Sequence, residues 1–538
     1  MKMPIGQTTG DKKFDGTRRM DFKNNDEQRE TREAPTTAIG ILRNIGPGMI
    51  LAGSIVGSGE LIATTRTGAE AHFDFLWLII LGCVIKVFAQ IELGRYAITN
   101  GKTTLSALNE VPGPIFRFDF GKRRIRANWI ICYWLLMFLS ILGQQGGIVG
   151  GVGQAMAISI PLTEEGKIYN ENIARKVSLD VKKAELANLR KNTNPAEKNT
   201  RLKEISKMSE EIEKMGAVPK ANDHIYWSLI LTGAAIFLLV WGKFSFIERF
   251  SVFLVAAFTL VTIANLFALQ SYDKWAVTMV ELKRGLSFGF PEGNKPLITA
   301  LATFGIIGVG ASELLAYPYW CLEKGYGKFV GKRDESENWI RRAKGWMRVM
   351  HWDSWGAMIV YTFCTIAFYL LGAAVLGRSN LIPEGSEMIQ TLSAMYQPVF
   401  GDFAQNLFLF GAFAVLFSTF YVAIAAQSRL AVDVGSVTGI VKLNERTRAA
   451  GLKWAGIILP MLSVLCYVFF PKPVVLVLIA GTLQAIMLPL IGFAVLYFRY
   501  KKCDDQLRPG KVWDFFLWLS FGAFLVVGTY QAYAKLFL

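Results

Sequence analysis

Histidine, charge and paired cysteine are all scarce in this 538-residue chain: there are three histidines, six cysteines, and charged side chains at only 19%. His72, His224 and His351 stand apart and form no HExxH or comparable set, which excludes a zinc site of familiar spacing and leaves each to be read as a solvent-facing or interfacial loop residue. Cys83, Cys132, Cys321, Cys364, Cys466 and Cys503 fall mostly inside or beside apolar runs, with no CxxC spacing and no framework for disulfides. No nucleophile with its base and no phosphate-cradling loop can be found, so neither an enzyme nor a bound cofactor is expected. Gly151-Val152-Gly153 has no strand before it and reads as close helix packing rather than part of a dinucleotide fingerprint. Charge this sparse cannot coat a soluble globule of this size.

Apolar side chains, at 52% with mean hydropathy +0.33, supply the alternative, which is a surface covered largely by lipid. The formal net charge of +16 could suggest a nucleic-acid partner, but the Lys and Arg residues sit in short stretches between apolar segments, a pattern of membrane topology. Runs long enough to cross roughly 30 Å of hydrocarbon occur near 45–66, 75–96, 128–159, 226–242, 246–270, 297–320, 354–377, 402–427, 454–471, 473–499 and 513–537. The expected architecture is therefore an all-α integral membrane protein of about eleven transmembrane helices, helices being the open-chain way to satisfy so much backbone in lipid. Its segments would be a disordered cytoplasmic tail over 1–40, helices 1–3 over 41–161, an insertion over 162–224, helices 4–5 over 225–270, helices 6–10 over 271–500 and helix 11 over 501–538.

Lys and Arg crowd the loops on one side far more than on the other, which places the N-terminus in the cytoplasm and, with an odd number of spans, the C-terminus outside, in a cell membrane. No cleavable signal peptide is expected. The insertion at 162–224 is rich in Lys and Glu. Ile173, Val177, Val181 and Leu189, then Leu202, Ile205, Ile212 and Met215, repeat at helical spacing on either side of an Asn-Thr-Asn-Pro break ending at Pro195, so an exterior helical hairpin is expected. Charge-laced helices are commonly just soluble, which makes a solvated ornament the plain expectation and the docking of an unknown partner the sharper one. Between the sixth and seventh spans, Trp339, Ile340, Trp346 and Val349 alternate with Arg341, Arg342, Lys344 and Arg348, as in a basic helix lying on the inner leaflet.

The most informative feature is a self-match. Residues 56–63 read VGSGELIA, and Gly310-Ala311-Ser312-Glu313 aligns with Gly57-Ser58-Gly59-Glu60 with one residue of slippage at its start. Glu60 and Glu313 thus occupy equivalent points about five spans apart, and an odd offset turns the second copy upside down, the mark of a 5+5 inverted repeat. Glycine and serine weaken helix propensity at both points, so helices 1 and 6 are expected to be discontinuous there, presenting carbonyls beside a carboxylate that is costly in lipid. Glu60 and Glu313 are the candidate metal ligands. Ser58, Ser312, Gly57, Gly59 and Gly310 would complete the substrate shell by hydroxyls and carbonyls. The plain alternative is a pair of protonated, hydrogen-bonded packing residues.

At these residues the chain resembles the Nramp (natural-resistance-associated macrophage protein) family of divalent metal transporters, as a divergent member, over about residues 40–500. The likeness rests on Gly46-Pro47-Gly48, on LGRYAITNGKTTLSAL from Leu93 to Leu108, on the Ile-Pro-Leu ending at Leu162, on Ser418-Thr419 with Ala425 and Gln427, and on Leu488-Pro489. It implies two inverted five-helix units, an eleventh helix outside them, and alternating access around a central ion site, with metal as substrate. The family's Asp-Pro-Gly-Asn aligns with Gly57-Ser58-Gly59-Glu60, and its Met-Pro-His with Ser312-Glu313-Leu314. The usual Asp and the soft Met ligand are thus missing, and Gln144 and Gly147 stand where the family's helix 3 carries acids of its proton route.

Carboxylates, hydroxyls and carbonyls suit hard divalent cations of the Mg, Mn or Ca type. Two close acids could also share a proton and release it to an arriving cation. Two alternatives stay open. One keeps the fold and carries an organic cation or amino acid against an aromatic wall of Tyr317, Tyr319 and Trp320. The other is a non-transporting receptor or scaffold acting through the exterior hairpin.

Overall fold

The computed structural model describes residues 31–120, 123–187, 195–214, 221–241 and 244–537. Most of the expected N-terminal tail, the Asn-Thr-Asn stretch before Pro195, Leu189 and Met215 lie outside the described residues.

Long apolar runs fold as helices because only intrasegment hydrogen bonding satisfies their backbones away from water. In chain order these are α1 (Pro47–Ala71), α2 (Leu76–Asn100), α3 (Trp129–Ser159), the charged pair α4 (Glu164–Ala187) and α5 (Pro195–Lys214), then α6 (Asp223–Trp241) and α7 (Phe244–Leu269). There follow α8 (Asn294–Ile306), α9 (Ala311–Glu323), α10 (Glu337–Gly377), α11 (Ala404–Val437), α12 (Glu445–Phe469), α13 (Pro473–Lys502) and α14 (Lys511–Phe537). Counting α8 and α9 as one interrupted span, ten helices among the described residues are long and apolar enough to cross a membrane, and Val255–Leu269 of α7 is apolar as well. Large apolar side chains such as Leu136, Leu139, Phe253, Phe267, Phe410 and Trp518 face outward, an arrangement suited to lipid and not to water.

Small residues let the central helices approach closely. A Cβ on Gly305 of α8 would strike the Gly481 carbonyl of α13, and one on Gly153 of α3 would strike Ser228 Oγ of α6. The glycines of α3 are packing residues, as the missing strand before them implied. The inner bundle formed by α1, α2, α3, α8, α9, α10, α11 and α13 is where buried polar groups concentrate.

Three local features differ from the sequence reading. Between α2 and α3 the chain makes a small antiparallel ladder, β1 (Ile115–Phe120) against β2 (Arg123–Asn128), with Ile115 opposite Asn128; the alternation Phe116, Phe118, Phe120 was its signal. The stretch from Trp339 to Met350 is not a separate surface helix. It is the first three turns of α10, and Trp339, Trp346 and Val349 are fully buried in protein, with the Trp346 ring stacked against Tyr326 and its Nε1–H donated to the Arg32 carbonyl at 2.8 Å. Only Arg341, Lys344 and Arg348 on the opposite face are exposed. Finally, His72 is an exposed helix-end residue, but His224 and His351 lie within α6 and α10: His224 Nδ1 pairs with Tyr467 OH at 2.9 Å, and His351 stacks on Trp513. Both imidazoles are packed between helices because the spans extend further than their apolar cores suggested.

Candidate ion-binding site at two helix breaks

The two glycine-bearing segments break in different ways. In α1 the backbone stays helical but widens to a π-helix from Val56 to Thr64, wide enough for its carbonyls to be taken up by side chains: Thr64 Oγ1 donates to the Gly59 carbonyl at 2.9 Å and Thr65 Oγ1 to the Glu60 carbonyl at 3.4 Å. Glycine is required here by contact. A Cβ on Gly57 would strike Thr419 Oγ1 of α11, and one on Gly59 would lie 3.0 Å from the Ile306 carbonyl. Between α8 and α9 the helix is severed outright, with Ile307 extended and Gly308 at φ +55°, a left-handed turn that glycine adopts without strain.

Glu60 is fully buried and reaches across from the first break to the second. Its Oε1 accepts the Gly308 N–H at 3.2 Å and the Thr365 hydroxyl at 3.1 Å, while Oε2 has no hydrogen-bond partner. Glu313, in the first turn of α9, is partly exposed and folds back over Gly310, where an added Cβ would meet its Oε2 at 2.5 Å. The two carboxyl groups lie within electrostatic reach of one another.

Ser58 and Ser312 are joined by an amide web. Gln144 Nε2 of α3 donates to Ser58 Oγ at 3.0 Å, and Gln484 Nε2 of α13 to Gln144 Oε1 at 2.8 Å. The Ser312 N–H donates to Gln484 Oε1 at 3.1 Å, and Gln427 Nε2 of α11 to Ser312 Oγ at 2.7 Å, leaving Gln427 Oε1 without a partner. The web contains no titratable group, so it can orient and solvate a cation but cannot relay a proton by changing its charge. Of the residues singled out in the sequence, Glu60, Gly59, Gly310, Glu313, Ser58 and Ser312 all border the severed segment or the amide web, and Gly57 faces α11.

Sequence reasoning missed Lys86. It sits in the middle of α2, fully buried, with its ammonium bonded to the carbonyls of Phe304 and Ile307 (2.8 Å to the latter), 4.6 Å from the centre of the Phe304 ring, and close enough to act electrostatically on Glu60 and Glu313. A single Lys inside an otherwise apolar run was the signal that could have found it. The aromatic wall does not form. Tyr317 OH donates to Asp353 Oδ2 of α10 at 3.1 Å, Tyr319 OH donates to Asp433 of α11, and Trp320 lies under the Arg429 guanidinium, so the three rings diverge around α9.

A polar latch holds the start of α1. Asp353 of α10 accepts the N–H groups of Gly46 (2.9 Å) and Gly48 (2.5 Å), satisfying orphan donors at a helix N-terminus, and a Cβ on Gly48 would strike that same aspartate.

Among the described residues, no group of three or more His, Cys, Asp or Glu could hold a metal ion. Any cation at the breaks would depend on two carboxylates supplemented by hydroxyls and carbonyls.

The fold is shared with solved transporters. A manganese transporter from Eremococcus coleocola, in a mutant form, superposes with a TM-score of 0.58 at 13% identity over 94% of this chain and 90% of that one. The same transporter in complex with an aromatic bis-isothiourea substituted compound gives 0.57 at 13%, over 93% and 90%. MhsT in complex with L-phenylalanine gives 0.51 at 16%, over 92% and 99%. No curated protein matches the sequence. The model of the natural resistance-associated macrophage protein-like (Nramp) family matches residues 218–534, more than half of the sequence, with the second break and its Glu313 inside the match. By that match, with its fold and its buried polar centre, this chain belongs to the Nramp family, a family of membrane transporters and not of enzymes.

Proposed function

We propose that the protein moves a hard divalent cation of the Mg, Mn or Ca type by alternating access around the paired breaks, with Glu60 and Glu313 supplying charge and Ser58, Ser312 and the backbone near Gly57, Gly59 and Gly310 the remaining oxygens. The observation that carries this reading is Glu60. It is a fully buried carboxylate with one unpartnered oxygen, bonded to the severed backbone that also presents Glu313. Buried acids at discontinuous helices mark ion pathways, and an all-oxygen donor set holds nothing soft. Family membership and the fold of a manganese transporter support metal as the cargo.

Flux into proteoliposomes tests the proposal, with Mg, Mn and Ca compared in the parent, Glu60→Gln and Glu313→Gln. Each neutralised variant should lose at least about tenfold in transport, one charge-assisted ligand being worth roughly 1.5–3 kcal/mol. Equal flux in all three proteins overturns the assignment.

One observation favours a second reading, an organic cation or amino acid. A Lys86 ammonium within electrostatic reach of both carboxylates offsets part of their charge and lowers the attraction for a doubly charged ion. The same fold holds L-phenylalanine in MhsT. Uptake of an amine that millimolar Mg or Mn does not compete against would favour this reading.

The N-terminus is assigned to the cytoplasm and the C-terminus to the outside, with α4 and α5 as an exterior ornament that contacts no cargo; a partner docked there belongs to the scaffold alternative. The segment boundaries at 40, 161, 224, 270 and 500 belong to the same proposal.

A further inference from the structure

In an unbroken helix the Gly308 N–H would bond to the Phe304 carbonyl four residues back. Here that bond is cut, and its halves are taken by two side chains of opposite charge: the N–H by Glu60 Oε1, the carbonyl by Lys86 Nζ, which also takes the Ile307 carbonyl at 2.8 Å. These carbonyls form the C-terminal end of α8, the negative end of its dipole and a place where discontinuous membrane helices hold a free coupling cation.

We propose that the Lys86 ammonium is a tethered cation that fills this carbonyl seat, so that transport needs no free monovalent co-ion. Three features support this. Lys86 has no exposure, and among the described residues its ammonium faces carbonyls, the Phe304 ring, Cys83 and the two glutamates of the proposed site. Its helix cannot drift from the seat easily, because α2 is pressed onto the break: a Cβ on Gly308 would lie 2.9 Å from Cys83 Cα, and one on Gly82 would lie 3.0 Å from side-chain atoms of both Phe304 and Ile307. Neither of the other titratable groups at this seam is a cation that could replace it: Cys83 lies on the same helix, and Tyr361 of α10 borders the break and donates its OH to the Cys83 carbonyl at 3.3 Å. A buried ammonium whose only role was packing would be replaceable by a neutral donor, whereas a surrogate ion is replaceable only by another cation.

The inference rests on the transport reading, and its test separates the two. The full chain is assayed as parent, Lys86→Ala and Lys86→Gln, with sodium or methylammonium chloride replaced by N-methyl-D-glucamine chloride. Thermal stability in detergent, which needs no cargo, is measured beside Mn flux. The parent should be indifferent to the monovalent cation in both assays. Lys86→Ala should melt earlier and carry Mn several-fold more slowly, and sodium or methylammonium should raise both its melting temperature and its flux towards the parent. Lys86→Gln, neutral but able to donate, should remain impaired without added cation. A sodium-dependent parent, a Lys86→Gln protein equal to the parent in both assays, or a folded Lys86→Ala that no small cation stabilises would each overturn the inference. A parent that carries no divalent ion overturns the cargo reading, and the melting series still decides the role of Lys86.

Discussion

At the scale of single residues, Glu60 has two tasks that a substitution can separate. Its Oε1 holds the Gly308 N–H and the Thr365 hydroxyl, which is structural, and its charge would bind a cation, which is functional. Glu60→Gln keeps an acceptor for both donors and should fold and melt close to the parent while losing flux. Glu60→Ala leaves the buried Gly308 N–H unsatisfied, at about 1–3 kcal/mol, while the Thr365 hydroxyl keeps the Tyr361 carbonyl at 2.6 Å, so its detergent-solubilised melting temperature should fall by a few degrees. Two variants of equal stability would remove the structural task. The sequence announced Glu60 and Glu313 because an acid beside glycines in an apolar run violates the cost of charge in lipid. Lys86 violated it equally but had no repeat partner to draw attention to it. Asp353 was harder still to find: its meaning lies in bonds to Gly46 and Gly48, more than three hundred residues away in sequence, and no local pattern encodes a helix end capped at that distance.

Elements were legible to the extent that their periodicity was local. The spans and the apolar face of α4 follow from runs and spacings, with Ile173, Val177 and Val181 buried, whereas on α5 Ile205 and Ile212 are half-buried and Leu202 is exposed. The form of each break was not legible. Gly57 and Gly59 announced weakness, yet a π-helix and a severed helix differ through tertiary neighbours, Thr419 and Ile306 in one case and Glu60 and Lys86 in the other. The α4–α5 pair is tied to the bundle chiefly at its root, where Asp223 accepts from the Leu162 and Thr163 backbones at 2.6 and 3.0 Å; its ion pairs Lys182–Glu204 and Arg175–Glu211 are exposed and weak. Replacing residues 165–220 by a short flexible linker should therefore leave Mn flux within about twofold of the parent, since no residue of the pair borders the breaks. A large loss of flux would give the pair a role in transport.

A second element prediction concerns the short helix Met279–Gly285, clamped to the end of α10 by Arg378, whose Nη2 donates to Glu281 Oε1 at 2.6 Å and to the Ala276 carbonyl at 3.1 Å. Burial alone would raise the Glu281 carboxyl, but the Thr278 N–H, Arg378 and the Thr278 hydroxyl outweigh it and hold the group below its ordinary 4.5. A carboxyl depressed in the folded state stabilises the protein fully above its unfolded value and loses that contribution as pH falls through the folded one. Glu281→Gln should accordingly melt slightly below the parent at neutral pH, by no more than about 1 kcal/mol for a partly exposed pair, and the gap should close as pH drops below 4.5. A gap that widens on acidification would refute the clamp.

At the scale of the whole molecule, the excess of Lys and Arg in alternate loops and the odd number of proposed spans make one statement about where the two ends lie. The exposed basic residues at the start of α10, Arg341, Lys344 and Arg348, share the end of the bundle on which the Asp353 latch holds the beginning of α1. Arg341 also pairs with Glu33 of the N-terminal segment at 2.8 Å, and this interaction keeps Glu33 ionised to lower pH than usual. The N-terminal segment therefore belongs with the basic loops, the side that the proposed orientation assigns to the cytoplasm. An epitope placed before residue 31 should be inaccessible to antibody in intact cells and exposed after permeabilisation, whereas one after Leu538 should be reached in intact cells. If both epitopes appear on one side, the number of crossings is even. In that case the inverted relation between Glu60 and Glu313, which needs an odd number of crossings between them, would need a different explanation.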